Sequence, residues 1–397
     1  MPPTRSFPAL ARPSVRDLAA SRIREVANAA LGAPDVLAFW FGEPDQPTPP
    51  FIVEAARAAL DAGDTFYLPN LGIPALRDAL AGYVSRLHPG PQQAGVGAAR
   101  IAVTSSGVSA LMLAAQALIS PGDRVVAVVP LWPNLTAIAA VLGAEVRTVP
   151  LSIEAGRWTL DTERLLAALT PDTRMLMLNS PGNPTGWVLA PDAMAAVLAH
   201  CRRHGIWVLS DEAYERLVFD GTDCAPSFLD AADPEDRLVV ANTFSKTWQM
   251  TGWRLGWLVM PETLTPDVEK LVEFNTSCAP GFVQQAGLAA VRGGEAATLA
   301  FRDAVQAGAD ALLAALAELP RVHPVTPDGA MYVLLRVDGE PDSLALAKAL
   351  VRDARLGLAP GVAFGESCEG YLRWCIAKPP AVLRDGVSRL AGYLAKH

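Results

Sequence analysis

No stretch of this 397-residue sequence is long and apolar enough to span a bilayer, and its opening MPPTRSFPALARPS has no apolar core of signal-peptide length. Cysteine is scarce. The five are scattered, odd in number and without CxxC spacing, which argues against both a disulfide framework and zinc, so no metal site is expected. Reduced thiols in a cytoplasm are the expectation. Dense basic clusters are missing and the net charge is −8, which argues against a nucleic-acid surface. Charged residues make up only 19% against 51% hydrophobic, a composition that excludes a disordered chain. Repeats and low-complexity linkers are also absent. What remains is a chain longer than one ordinary domain with ample material for a core, so two domains are expected.

From about residue 100, short β-rich runs alternate with longer helical ones. Strands are expected at Ile101–Thr104, Arg124–Val129, Glu145–Val149, Met175–Leu178 and Ile206–Leu209. Helices are expected between them at Val108–Ile119, Leu135–Leu142, Thr162–Leu169 and Ala193–Arg203. Such alternation predicts an α/β fold, a parallel sheet covered by helices on both faces. After Pro280 the texture changes to a long helical stretch (Glu295–Leu319), a strand (Met331–Val337), a helix (Leu344–Arg352), a strand (Tyr371–Ile376) and a helical remainder. This tail predicts a smaller α+β unit joined by the N-terminal segment.

The most informative stretch is Thr243-Phe244-Ser245-Lys246, which follows a strand-like run (Arg237–Ala241) and precedes Thr251-Gly252-Trp253-Arg254. A lysine in a partly apolar pocket loses its proton near neutral pH and attacks carbonyls. Hydroxyls and an arginine fork suit a phosphate dianion. Alone, a Ser-Lys pair reads as solvated surface. Other candidates gather at the ends of predicted strands, where ligands collect in such sheets. Ser105-Ser106-Gly107-Val108-Ser109 opens a helix and offers free backbone N–H groups to an anion, or is an ordinary N-cap. Trp132 stacks on a flat ligand or packs in the core. Asn179 to Gly186 (NSPGNPTG) is a rigid turn that can aim Asn183 at a ligand oxygen. Asp211, behind an apolar strand, is costly to bury without a cationic partner, and Tyr214 lies three residues on.

Together NPTG (Asn183–Gly186), SDEAY (Ser210–Tyr214) and the segment Ser245 to Trp257 resemble the class I/II aminotransferases, within the fold-type I enzymes that use pyridoxal phosphate. The resemblance runs from Phe41-Gly42-Glu43-Pro44-Asp45 to Gly370-Tyr371-Leu372-Arg373. It implies a three-layer large domain with a mainly parallel sheet over residues 48–290, and a smaller α+β domain built from 1–47 and 291–397. It also implies roles. Lys246 forms the Schiff base with pyridoxal phosphate and moves the α-proton, and Asp211 pairs with the ring nitrogen. Asn183 and Tyr214 bond the ring's phenolic oxygen, and Trp132 stacks. Ser106, Gly107, Val108, Thr243, Ser245 and Arg254 hold the phosphate, whereas Ser109 should already lie inside the helix. Arg373 clamps the substrate carboxylate with help from the backbone at Gly42. Tyr67 resembles the tyrosine a neighbouring subunit lends to the phosphate, so a homodimer with shared sites is implied. The implied reaction moves an amino group from an L-amino acid to a 2-oxo acid in a ping-pong cycle. A β-eliminating C–S lyase or decarboxylase on the same fold stays open.

Two positions bear on substrate. Trp40, in the aromatic run Phe39-Trp40-Phe41, either walls the side-chain pocket, favouring apolar or aromatic substrates, or packs in the core. An ungapped reading places Glu273 where dicarboxylate-specific relatives carry an arginine, which would favour a basic side chain; an exposed helix face is the alternative.

Overall fold

Strand sequences explain the architecture. Arg124–Val129 (RVVAVV) and Leu238–Thr243 (LVVANT) are apolar almost throughout, because both faces of their sheet are covered. Along Arg124–Val129, Val126 and Val128 enter one hydrophobic core while Val125, Ala127 and Val129 enter the other. That alternation is the two-residue period of a strand, so the two cores lie on opposite sides of one sheet. A computed structural model describes residues 11–33, 35–91 and 95–397. The signal-peptide reading rests in part on residues 1–10, outside the described residues, as do parts of the expected domain ranges.

In chain order the strands are β1 Leu37–Ala38, β2 Ile101–Thr104, β3 Arg124–Val129, β4 Glu145–Pro150, β5 Ser152–Glu154, β6 Arg157–Thr159, β7 Thr173–Asn179 and β8 Trp207–Asp211. They continue as β9 Leu238–Thr243, β10 Gly256–Val259, β11 Val322–Val325, β12 Tyr332–Val337, β13 Leu356–Gly357, β14 Ala359–Pro360 and β15 Tyr371–Cys375. Seven form the large sheet, in the order β2-β10-β9-β8-β7-β3-β4. Only β10 runs against its neighbours, since the chain turns straight back after β9 instead of crossing over. That reversal matters. The six parallel strands end at the edge where β10 begins, so residues after those six strands and before β10 converge there.

The second sheet, β11-β12-β15-β14, is antiparallel. Helix Glu295–Leu316 packs against the C-terminal helix Pro380–Leu394. The N-terminal segment joins this part of the chain, with β1 pairing in parallel with β13 (Leu37 opposite Leu356).

The expected strands and helices are present with shifted ends. Helix Glu295–Leu316 stops short of Leu319 because Pro320 disfavours helical backbone before it. The single helix expected over Leu344–Arg352 is instead a helix Ser343–Ala349 widened into a π turn, Leu350–Ala354, and closed by left-handed Arg355. Among the described residues, no helix is long and apolar enough to cross a membrane.

Candidate active site

A cavity of about 480 Å³ opens at the convergent edge of the large sheet, within the ~300–1,000 Å³ range of small-molecule sites. Every sequence-predicted site residue except Ser106, Tyr67 and Glu273 lines it. Asp211 is the last residue of β8 and Thr243 the last of β9, and Ser245 and Lys246 follow β9 in a short helical turn. Asn183 comes from the turn after β7, Arg254 precedes β10, and Arg373 reaches across from β15 in the second sheet.

Lys246 donates from Nζ to the Gly42 carbonyl at 2.5 Å. Burial is the main cause that pulls its pKa from 10.5 to about 8, and the Arg373 and Arg254 charges push the same way. Asp211 is buried and accepts from the Ala213 N–H at 3.2 Å, its one side-chain hydrogen bond among the described residues. Burial drives its pKa up to about 7, against the pull of that N–H and the Lys246 charge. Both groups therefore titrate near neutrality.

Arg373 is 2% exposed. Its Nη1 donates to Asn183 Oδ1 at 2.7 Å and its Nη2 to the Trp40 carbonyl, while Nε has no partner among the described residues. The Tyr332 and Phe364 rings flank it, 4.4 and 4.8 Å from Cζ to the ring centres. None of these neighbours is an anion. A buried guanidinium without a carboxylate is costly, and its fork matches a carboxylate ligand.

The phosphate-suited residues sit at the N-terminus of helix Gly107–Leu118, where first-turn N–H groups have no intrahelical acceptor. Ser106 caps this helix, its Oγ accepting from the Ser109 N–H at 3.1 Å, and it does not line the cavity. Ser109 lies inside the helix as expected. Thr243 donates to Ser245 Oγ at 2.9 Å, and left-handed Arg254 donates to the Thr251 carbonyl at 2.6 Å. Gly256 lets these strands close up: a Cβ there would lie 2.5 Å from the Gly107 nitrogen.

Trp40 lines the cavity and also packs, its ring against Gly357, where a Cβ would meet it at 2.0 Å. Glu273 is exposed at the end of helix Thr265–Glu273 and lines no part of the cavity. Tyr67 is 88% exposed, near-neighbour Phe66 83% and Phe274 89%. A wider groove of about 930 Å³ adjoins the cavity and shares Arg254 with it.

The sequence reading missed Tyr332, Asn179, Arg24 and Glu43, all of which line the cavity. Asn179 carried a signal as the first residue after a predicted strand. It donates to the Asp211 carbonyl at 2.9 Å and accepts from the Asn183 N–H at 2.7 Å. Tyr332 carried none beyond its place at a strand start.

Away from the cavity, His88, Glu212 and Glu215 are buried with ligand atoms within 4.8 Å of one another, the one group of metal-ligand type among the described residues. Their charges are already matched. Burial pulls the His88 pKa down, but Asp230 (3.1 Å from Nδ1) and Glu215 (3.6 Å from Nε2) outweigh it and carry the pKa to about 10. An imidazolium thus fills the cation's place.

Comparison with known proteins agrees with this geometry. Residues 34–390 match the family model "Aminotransferase class I and II". The chain is 34% identical to the arginine–pyruvate transaminase of Pseudomonas aeruginosa, over 90% of this chain and 89% of that one. It is equally identical to the aspartate/prephenate aminotransferase of Thermus thermophilus, over 91% and 92%. The solved structure of Thermus thermophilus aspartate aminotransferase with maleate superposes with a TM-score of 0.88 at 32% identity, covering 97% of this chain and 100% of that one. The chain belongs to the class I and II aminotransferases, enzymes that work with pyridoxal phosphate. The residues fit that cofactor: a buried carboxylate short of partners, a low-pKa lysine and a hydroxyl-lined helix N-terminus share one cavity.

Proposed function

We propose that this aminotransferase runs a two-stage exchange between an L-amino acid and a 2-oxo acid through Lys246. One observation carries the reading: buried Asp211 and Arg373 and half-buried Lys246 line one cavity, and none has an ion-pair partner among the described residues. When bound, pyridoxal phosphate supplies an aldehyde that captures amines and a ring that accepts the electron pair left by a departing α-proton. Lys246, neutral in part near pH 8, attaches the cofactor and carries the α-proton. Asp211 keeps a proton on the ring nitrogen. Asn183 and Tyr214 hold the phenolic oxygen, and Trp132 packs on the ring face. Thr243, Ser245, Arg254 and the N–H groups after Ser106 hold the phosphate. Arg373 holds the substrate carboxylate, already oriented by Asn183 and the Trp40 carbonyl.

The same reading makes the protein a homodimer, with Tyr67 of the partner subunit completing the phosphate site. The exposed aromatics Phe66, Tyr67 and Phe274 support it, since a monomer rarely leaves such surface bare. It divides the chain into a large domain (48–290) and a smaller one (1–47 with 291–397), supported by the β1–β13 pairing. It places the enzyme in the cytoplasm, supported by five cysteines that form no disulfide.

The test adds arginine, aspartate and phenylalanine separately to the cofactor-loaded protein and follows its absorbance, with and without a 2-oxo acid. Absorbance that converts with an amino acid and returns only when the oxo acid is added supports the reading. Release of pyruvate and ammonia from cysteine-type substrates, with no acceptor needed, would replace it with a lyase.

A further inference from the structure

Tyr214 and Tyr332 lie 118 residues apart, one in the turn after β8 of the large sheet, the other opening β12 of the second sheet. Their hydroxyls meet at 2.7 Å and their rings cross at 75° with centroids 5.7 Å apart. Both are buried and both line the cavity. We propose that Tyr332 is a positioning residue for the transamination: its hydroxyl donates to Tyr214, which turns the Tyr214 proton toward the phenolic oxygen of the bound cofactor. This inference rests on the role given to Tyr214 above.

Distance alone leaves the direction of the hydrogen bond open, and the surroundings set it. Tyr332 is hemmed in: a Cβ on Gly42 would lie 1.7 Å from its hydroxyl oxygen, and its ring lies against the Arg373 guanidinium. A guanidinium only donates, so it cannot take the Tyr332 proton. Among the described residues the Tyr214 oxygen is the acceptor within reach. The charge of Arg373 also makes Tyr332 the better donor. Burial raises both phenols and Arg373 opposes the rise at each, but only at Tyr332 is its pull second to burial alone, and Tyr332 stops at about 12. With its oxygen occupied as an acceptor, Tyr214 has its own proton free for the cavity. Hydrogen bonds in such a chain strengthen one another in a low-dielectric site. The pair also joins Arg373, the carboxylate clamp, to the ring contact through one side chain.

Tyr332→Phe removes the hydroxyl and keeps the ring. The readout is a pH titration of the bound cofactor's visible absorbance, without substrate. Donation to the phenolic oxygen favours the state in which that oxygen bears its full negative charge, unshared with a protonated lysine-linked nitrogen. Weakening the donation should therefore raise the titration midpoint, by about 0.3 to 1 pH unit for a hydrogen bond of ordinary net strength. Tyr214→Phe alone should raise it more. In a Tyr214→Phe background, adding Tyr332→Phe should move it no further. An unchanged midpoint in Tyr332→Phe, or an equal shift in both backgrounds, overturns the relay while leaving the role of Tyr214 standing. An unchanged midpoint in Tyr214→Phe overturns both.

Discussion

Arg373 on the second sheet donates to Asn183 on the large sheet at 2.7 Å, across 190 residues of sequence. The bond joins two walls of the cavity and brings a guanidinium, buried among rings and without an anion among the described residues, into the space that Lys246 and Asp211 also line. On the proposed reading, substrate binding and proton transfer share that one space.

Removing that cation separates binding from cofactor attachment. Arg373→Leu should lower kcat/KM for any amino acid by roughly 2–5 kcal/mol, about 30- to 4,000-fold, mainly through KM. The cofactor should stay bound, as judged by its absorbance after gel filtration. Colourless variant protein would place Arg373 in the cofactor site instead.

Asp211 is costly to the protein without cofactor. Its carboxyl titrates at about 7 when folded and at 3.8 when unfolded, so the unfolded chain releases this proton first as pH rises. Stability is lost between those values, by an upper limit on the order of 4 kcal/mol above pH 7. Cofactor-free Asp211→Asn should therefore melt higher than cofactor-free wild type at pH 8, with the gap closing toward pH 4. With cofactor added the order should reverse. Lower melting of the cofactor-free variant at pH 8 would contradict this. The contrast shows a site whose charges suit a ligand at the expense of the bare fold.

His88 works the other way. Its pKa rises from 6.5 to about 10 in the fold, so its stabilising contribution is complete below pH 6.5 and is lost as pH climbs through 10. His88→Gln leaves Glu215 and Asp230 without their cation and should lower stability by about 3–5 kcal/mol at pH 6, by denaturant titration. The difference should shrink above pH 10. A constant difference from pH 6 to 11 would mean that packing, not charge, is what the imidazole provides.

Phe274 tests the proposed subunit contact. Phe274→Asp should shift sedimentation from dimer toward monomer and weaken cofactor affinity together, because Tyr67 of the partner subunit leaves the phosphate site. Tyr67→Phe should keep the dimer and weaken only the cofactor. A fully active wild-type monomer would contradict both.

Much of this was legible in the sequence, for a physical reason. Strands covered on both faces are written as short apolar runs, such as Val125–Val129, and the polar residues right after them must face the open edge of the sheet. Asp211 and Lys246 are of that kind, as is Asn183 in the turn beyond β7. The Tyr332–Tyr214 bond was not legible, because no local pattern shows two sheets meeting hydroxyl to hydroxyl. The capping use of Ser106 was legible as the ordinary N-cap alternative to its phosphate role. Arg24 was hidden because its helix, Arg22–Ala29, reaches the cavity only through the pairing of β1 with β13 and the packing beside it. The hairpin β5–β6 turns at Ala155-Gly156, both at positive φ, a turn signal present but not used.

The central claim is that Lys246 is the residue joined to the cofactor. Cofactor-loaded protein is treated with borohydride, digested, and its peptides weighed by mass spectrometry. The account predicts one reduced, cofactor-bearing peptide, the one containing Lys246, and none from a Lys246→Ala variant that keeps the wild-type circular dichroism. A label on another lysine, or undiminished turnover by Lys246→Ala, would contradict it.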